Sequence, residues 1–286
     1  MAVTWRMNDI TFHILTDGTF KGDAGVFFGV VPRAAWIRKR PVDDTNCFDV
    51  PVRPVLAEVG GKRILVETGM GSKFEHGGRF AREWGIEQPV TLVDDLASIG
   101  VAPEDIDIVV LTHLHFDHAG GNTRTDGAGR GVPVFPRARY VVQRREYAEA
   151  RYPFFLSRDT YLAENLAPVE EAALWDLVDG DQDLLPGVST MVSPGHVPAL
   201  QVVRFESAGD VAVVVSDLIP SAQHMRLGWN TAWDVDPMTN ALTKQRIIGQ
   251  AARGRWHFFL YHDPDVMLGR VDADGALEPL LRTGAA

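Results

Sequence analysis

Cysteine is almost absent from this chain of 286 residues, in which Cys47 is the only one. A single cysteine excludes an intramolecular disulfide and leaves the redox compartment undetermined. With 45% hydrophobic residues, the chain can instead bury a sizeable apolar core. We interpret Cys47 as a small buried or loop residue without a chemical role.

Clustered positive charge is also scarce. The 28 lysines and arginines are outnumbered by 38 acidic residues, which gives a formal net charge of −10, and the one basic cluster is Arg38-Lys39-Arg40. Because binding to phosphate groups requires clustered positive charge, the sequence argues against a nucleic acid or an anionic membrane as partner.

Long hydrophobic runs are absent as well. No apolar stretch approaches the length of about 20 residues that a membrane-spanning helix requires. Residues 1–9 lack a charged segment followed by an apolar one, so no secretory signal is predicted. We therefore expect a soluble cytoplasmic protein with no membrane partner.

One segment, by contrast, is rich in metal-type ligands. The run Thr112-His113-Leu114-His115-Phe116-Asp117-His118 follows the apolar residues 108–111, which have the pattern of a short buried strand. His113 and His115 lie two apart and can point to the same side of an extended backbone. Such crowded polar groups would repel one another or remain unpaired unless a cation satisfied them, so we predict a metal site.

The pattern H-x-H-x-D-H resembles that of the metallo-β-lactamase-fold hydrolases. That family carries a third histidine further along the chain, then a bridging aspartate, and a last histidine near the C-terminus. The matching residues here are His196, Asp217 and His262, each of which follows an apolar run. The resemblance extends from about residue 11 to residue 271.

This resemblance implies two divalent metal ions, each with three ligands of its own and one shared ligand. The assignment is His113, His115 and His196 for the first ion, Asp117, His118 and His262 for the second, and Asp217 between them. Imidazole and carboxylate ligands favour zinc and also suit manganese, iron or cobalt. A hydroxide shared by the ions would be the nucleophile of a hydrolysis, with Asp117 and His118 as the predicted catalytic residues.

Two of the candidate ligand positions narrow the predicted class of enzyme within this family. His115 stands where the oxygen- and nitric-oxide-reducing di-iron members carry a glutamate, which disfavours electron transfer. Asp217 is a carboxylate that true β-lactamases of this fold lack, which disfavours an antibiotic-degrading role. Residues 113–122 and 142–147 look instead like the quorum-quenching lactonases and the related organophosphate hydrolases.

Two positions depart from those relatives. Acyl-homoserine lactonases usually carry a tyrosine three residues after the bridging aspartate, where it contacts the lactone, whereas this chain has Pro220. Glu67 stands where the family usually has an aspartate that orients a ligand. A glutamate can do the same with a shifted backbone, or it can be an ordinary acid at a strand end.

Aromatic residues of two loops can form an apolar substrate wall, namely Phe27, Phe28, Trp36, Trp229 and Trp233. Of these we predict Phe28, Trp36 and Trp229, together with His224, to bind substrate. The alternative for each is ordinary packing. Three other histidines have no partner pattern and are interpreted as structural or surface residues, namely His13, His76 and His257.

Strand and helix patterns alternate in two successive sets, which predicts an α/β (α+β) fold. Specifically, we expect an αββα sandwich of two mixed β-sheets flanked by helices, in one domain spanning residues 1–286. The first strand is predicted over 10–15 and the last core strand over 256–261. Residues 21–49 show no clear period and are predicted as an N-terminal loop or arm, and residues 161–177 have helical composition.

The predicted function is hydrolysis of small apolar esters, lactones or phosphotriesters by a dinuclear metal site, with acyl-homoserine lactonase as the first alternative. A hydroxyacylglutathione thioesterase would require a basic C-terminal pocket, for which only Arg253 and Arg255 are available. A nuclease would require a basic surface. A non-catalytic binding module would show no turnover when loaded with metal, and the formation of a homodimer is left open.

Overall fold

The computed structural model describes residues 1–74, 78–155 and 157–284, and within them the strands form two seven-stranded sheets. In spatial order, the first sheet contains β1 (Val3–Met7), β2 (Ile10–Ile14), β5 (Val55–Val59), β6 (Lys62–Val66), β7 (Ile108–Val110), β10 (Arg139–Gln143) and β11 (Trp175–Val178). Its first four strands are antiparallel, and the pairs from β6 to β11 are parallel.

The second sheet is built from the C-terminal part of the chain. In spatial order it contains β12 (Gln182–Leu185), β13 (Val188–Val192), β14 (Gln201–Ser207), β15 (Asp210–Val214), β16 (His257–Phe259), β17 (Val266–Val271) and β18 (Leu277–Arg282). Only the central pair of β15 and β16 is parallel, so this sheet is mixed as well.

Helices cover the outer faces of both sheets. The first sheet is flanked by α4 (Leu92–Ser98), α6 (Arg144–Arg151) and α7 (Ala167–Glu171), and the second by α8 (Pro237–Gly254). Leu96 and Ala150 pack with the outer face of the first sheet, and Ile247 with that of the second. Asp236 begins α8 by accepting a hydrogen bond from the amide of Thr239 at 2.9 Å.

The two sheets pack face to face through a shared apolar core. Phe12 and Val55 of the first sheet lie in the same buried cluster as Val203 and Leu268 of the second. The rings of Phe12 and Phe205 meet edge to face, with centroids 5.1 Å apart. The predicted αββα sandwich is therefore confirmed.

Four shorter α-helices, two small hairpins and six 3₁₀-helices complete the described elements. The α-helices are α1 (Ala24–Phe28), α2 (Arg33–Trp36), α3 (Arg79–Glu83) and α5 (Phe116–Ala119). The hairpins pair β3 (Thr19–Asp23) with β4 (Cys47–Pro51) and β8 (Thr123–Thr125) with β9 (Gly131–Pro133). Within the described ranges, no helix combines the length and the apolar character needed to cross a bilayer.

The structure corrects the predicted boundaries of the sandwich. Strand β1 precedes the predicted first strand, β17 and β18 follow the predicted last one, and β11 replaces the end of the predicted helical segment 161–177. Segment 21–49, predicted as a loop or arm, contains most of the β3–β4 hairpin together with α1 and α2. Elements of four or five residues are too short to display a period in the sequence.

Asp17, which follows β2, joins three segments of the chain. Its Oδ2 accepts a hydrogen bond from the amide of Gly71 at 2.9 Å, and its Oδ1 accepts one from the amide of Leu92 at 2.7 Å. The carboxylate therefore fixes the start of α4 against the turn over residues 68–71, and this turn supports the functional site described below.

We expect Asp17 to lower the stability of the protein as the pH rises from about 4 to about 6. Burial raises the pKa of Asp17 from 3.8 to about 6, although the amides of Gly71 and Leu92 oppose it. Between these values the unfolded chain loses the proton while the folded chain keeps it, so the free energy of unfolding falls with rising pH. At 1.36 kcal/mol per pKa unit, the loss is about 3 kcal/mol.

Urea unfolding of metal-free wild type and Asp17→Asn between pH 4 and pH 7 measures this effect. The difference in unfolding free energy between the two proteins should shift by about 3 kcal/mol in favour of the variant as the pH rises. Parallel pH profiles would contradict the assignment.

Candidate metal centre

The seven predicted ligands lie at one edge of the sandwich and come from both sheets. Four strands end there, and a ligand follows each of them: His113 after β7, His196 after β13, Asp217 after β15 and His262 after β16. The remaining candidate ligands, His115, Asp117 and His118, lie at or in α5. Both chain halves therefore supply the site.

The ligand atoms form two adjoining groups. His113, His115 and His196 offer three atoms within 4.8 Å of one another, and so do Asp117, His118 and His262. Asp217 lies between the groups, with Oδ2 at 3.2 Å from His196 Nε2 and Oδ1 at 3.3 Å from His262 Nε2. Asp217 is thus near both of the groups that the resemblance assigns to separate ions.

Nitrogen atoms face one another inside the cluster. His115 Nδ1 lies 3.1 Å from His113 Nε2 and 3.3 Å from His196 Nε2, and the Nε2 atoms of His118 and His262 are 3.3 Å apart. Each close pair can hold at most one proton between its lone pairs, and all five rings are buried. Buried lone pairs that converge in this way fit divalent cations, because a cation satisfies several of them at once.

The charges of the metal-free cluster also favour the binding of divalent cations. Burial raises the pKa of Asp217, but His118, His262 and His196 outweigh it and hold that pKa well below its usual range. Burial lowers the pKa of His262, but Asp217 and Asp117 raise it to about 9. His262 therefore holds a proton that balances the carboxylates at neutral pH, and a divalent cation would replace that proton.

A second layer of hydrogen bonds fixes four of the imidazoles at Nδ1. The partners are Thr112 Oγ1 for His113, Glu67 Oε1 for His118, Asp234 Oδ1 for His196 and the carbonyl oxygen of Pro51 for His262, at 3.0, 3.2, 2.9 and 2.9 Å respectively. Each of these rings is thereby oriented with Nε2 towards the centre of the cluster.

Glu67 contacts a candidate ligand, so it can orient that ligand as the aspartate usual at this position does. The sequence alone did not decide between this role and that of an ordinary acid at a strand end. Besides His118 Nδ1, its carboxylate accepts hydrogen bonds from the hydroxyl and amide of Thr112 and from the hydroxyl of Ser216. The backbone of Glu67 is left-handed, with φ of 64°, and its side-chain contacts favour the orienting role over the alternative of an ordinary acid at a strand end. An ordinary strand-end acid would not be fully buried among such partners.

Two glycines behind α5 allow the backbone to pass closely. A Cβ on Gly120 would lie 2.0 Å from the carbonyl oxygen of Met70, and one on Gly121 would lie 2.0 Å from that of Thr68. Neither φ is positive, so the requirement here is space. The turn over residues 68–71 can therefore pack directly against the ligand-bearing helix.

A cavity opens at the cluster, with candidate ligands on one side and aromatic side chains on the other. Its lining combines ligands with aromatic and small side chains, namely His115, Asp117, His196, Asp217, His262, Phe20, Phe27, Trp84, Phe116, Trp233, Thr160, Thr231 and Pro220. Among the described residues, no lysine or arginine lines it. A neutral, partly apolar molecule fits such a lining better than an anion does.

The structure places the four predicted substrate residues behind this lining. Phe28, Trp36, Trp229 and His224 are buried in or against one aromatic cluster, and the cavity wall comes instead from Phe27 and Trp233. The ring of His224 stacks on Phe28, and its two nitrogens meet the hydroxyl of Ser221 and the carbonyl oxygen of Phe27. The geometry thus makes these residues supports of the wall, because their contacts are already used in packing.

The remaining weighed residues lie away from the cluster. His13 lies 3.0 Å from the hydroxyl of Thr4, and the ring of His257 packs against Trp5. His76 lies outside the described residues. Cys47 is half-buried at the start of β4, as a small loop-side residue would be.

Asp234 and Tyr261 are among the ligand-contacting residues that sequence reasoning missed. Asp234 holds His196, and Tyr261 stacks on His118 while its hydroxyl donates to the carbonyl oxygen of Asp117 at 2.7 Å. Tyr261 directly precedes a ligand, which was an available signal. Asp234 is far from His196 in sequence and lies in no motif, so no signal pointed to it.

Comparisons with known proteins agree with this geometry. The chain matches the sequence model of the Metallo-beta-lactamase superfamily over residues 49–254. An N-acyl homoserine lactonase of Bacillus cereus is 34% identical over 181 residues, which are 59% of this chain and 65% of that protein. The aligned part is thus just under two thirds of the length of that relative.

Solved structures extend the similarity over nearly the whole chain. A probable metal-dependent hydrolase from Staphylococcus aureus has a TM-score of 0.88 and 30% identity, covering 96% of this chain and 99% of that one. An N-acyl homoserine lactone hydrolase, solved with the product N-hexanoyl-L-homoserine bound at its catalytic metal centre, has a TM-score of 0.67 and 25% identity, covering 88% and 92%. With its fold, its ligand pattern and most of its length matched, this chain belongs to the metallo-beta-lactamase superfamily.

Proposed function

We propose that the protein is a metal-dependent hydrolase that opens small neutral lactones, with N-acyl homoserine lactones as the first candidates. The observation that carries the proposal is a buried cluster of seven candidate ligands that opens onto an aromatic cavity, which no lysine or arginine of the described residues lines. The lactonase of Bacillus cereus and the product-bound lactone hydrolase support the choice of lactones over other neutral substrates.

The residues that would hold two divalent ions are the two groups of three, with Asp217 shared between them. Zinc is the favoured metal because the ligands are imidazoles and carboxylates, and manganese, iron and cobalt suit the same set. When bound, such ions supply Lewis acidity, which polarises the substrate carbonyl and makes water reactive near neutral pH.

The protein side chains would bind, orient and move a proton. Asp117 lines the cavity, with Oδ2 3.4 Å from His262 Nε2, so it can take a proton from the attacking water and return it to the leaving oxygen. His118 would act as a ligand held in place by Glu67. Phe20, Phe27 and Trp233 would hold the apolar part of the substrate and exclude water.

One observation favours a second candidate function. Pro220 lines the cavity at the position where lactonases usually carry a tyrosine that contacts the lactone, and proline has no hydroxyl to donate. A pocket without this donor suits aryl esters or phosphotriesters, which lack a lactone ring to orient. The two candidates differ in the expected ranking of substrates.

A panel of substrates on zinc-loaded protein tests both candidates. We expect acyl-homoserine lactones to exceed aryl esters and phosphotriesters in kcat/KM. We also expect a neutral ester to exceed its anionic counterpart with the same leaving group by about tenfold or more, because no lysine or arginine of the described residues lines the cavity to offset the desolvation of a carboxylate away from the metal centre. Metal-stripped protein is the blank.

The ranking decides between the candidates. If aryl esters or phosphotriesters dominate the panel by an order of magnitude, the second candidate replaces the first. If fully loaded protein turns over no member of the panel, the proposed activity is wrong and a binding role takes its place.

A further inference from the structure

Residues 229–236, which we call the 229–236 loop, connect the cavity wall with one of the metal ligands. Thr231 and Trp233 of this loop line the cavity. The next residue, Asp234, is 9% exposed and points in the other direction, towards His196. One short segment therefore carries both a substrate surface and a partner of a ligand.

The described hydrogen bonds of the Asp234 carboxylate join His196 to the part of the loop that lines the cavity. Its Oδ1 lies 2.9 Å from His196 Nδ1 and accepts a hydrogen bond from the hydroxyl of Thr231, also at 2.9 Å. Its Oδ2 accepts a hydrogen bond from the amide of Thr231 at 3.1 Å. The carboxylate thus fixes the ring of His196 and the cavity-lining Thr231 at the same time.

Backbone hydrogen bonds lock the loop to the ligand segment. The amide of Val235 donates to the carbonyl oxygen of His196 at 3.1 Å, and the amide of Asp236 donates to that of Gly195 at 3.0 Å. Gly195 has φ of 143°, and a Cβ there would lie 2.3 Å from the Cα of Asn240 in α8. The ligand segment, the loop and the start of α8 are therefore in direct contact.

The part of the 229–236 loop that lines the cavity is held by a ring contact. The ring of Trp233 stacks at 29° on that of Trp84 across the cavity, with centroids 6.5 Å apart. Trp233 directly precedes Asp234 in the chain, so one short segment joins the cavity wall to the partner of His196.

We propose that Asp234 is a positioning residue that fixes the ring of His196 for metal binding and couples this ligand to the wall of the cavity. The proposal rests on the proposed function, since it assigns to His196 the role of a metal ligand. It adds a residue, and a link between pocket and ligand, that no sequence motif marks.

The test compares Asp234→Asn with Asp236→Asn in the full-length protein. Asp236 is the matched control, because it is an exposed acid of the same loop that caps α8 and whose side chain does not contact a predicted ligand. Zinc released to a chelator of graded concentration is measured for each protein. We expect Asp234→Asn to lose zinc affinity by about 10- to 100-fold at one of the two sites, which is the usual effect of removing such a partner. Asp236→Asn should retain the wild-type affinity.

Two further measurements separate positioning from a loss of structure. Thermal unfolding of the metal-free proteins should show that Asp234→Asn still folds, and Asp234→Glu should recover part of the zinc affinity. The absorption spectrum of cobalt-loaded protein should change in Asp234→Asn and stay the same in Asp236→Asn. Wild-type zinc affinity and an unchanged cobalt spectrum in Asp234→Asn would overturn this inference. A wild type that binds no zinc would instead overturn the proposed function.

Discussion

Asp217→Ala should lower kcat/KM by about a thousandfold or more while the fold survives. Among the described residues, Asp217 is the one carboxylate that lies within 3.3 Å of both ligand groups, so its loss leaves each group incomplete. The contribution of a bound ion to transition-state stabilisation is several kcal/mol, and about 4 kcal/mol corresponds to a thousandfold in rate. His118→Ala should act in the same direction.

The fold is expected to survive because the sheets do not depend on this carboxylate. Val215 and Leu218, on either side of it, pack into the apolar cluster beneath α8 and keep their contacts. Asp210→Ala is the matched control, since it removes an exposed acid from the opposite end of the same chain segment. Circular dichroism checks the fold and initial rates check the activity. Retention of a tenth of the wild-type activity in Asp217→Ala would contradict the two-ion assignment.

Removal of the metal should abolish hydrolysis, and full recovery should require about two ions per chain. The physical reason is that the ligand atoms form two groups, so one ion satisfies only part of the buried lone pairs. Protein purified without chelator, stripped, and then titrated with zinc provides the measurement, with ion content determined by elemental analysis. Activity that saturates at one ion per chain, with no further uptake, would show that the site is mononuclear.

Much of the site could be predicted because its signals are local. His113, His115, Asp117 and His118 stand in one run after an apolar strand, and each later ligand also follows such a run. The resemblance to a family supplied the pairing of these distant segments. The structure then brings the same residues to one edge of the sandwich.

The substrate residues could not be predicted in the same way. Phe28 and Trp36 were predicted to lie in a loop and to bind substrate. The hairpin and the short helices of this segment bury them instead. Phe27 forms part of the cavity wall. Which of two adjacent rings of a helix faces a cavity depends on a rotation of about 100° about the helix axis, and a helix of five residues leaves no period from which to infer it. Asp234 likewise depends on a tertiary contact that composition does not reveal.

The origin of the ligands in both sheets has a consequence for the lifetime of the protein. Four ligands come from the N-terminal half of the chain and three from the C-terminal half, so an ion bound among them acts as a cross-link between the halves. A ligand that binds only the folded state stabilises it by about 4 kcal/mol at a thousand times its dissociation constant. The concentration of free metal ion would therefore determine how often the protein unfolds. Proteolysis of the unfolded chain should slow as the concentration of free zinc rises.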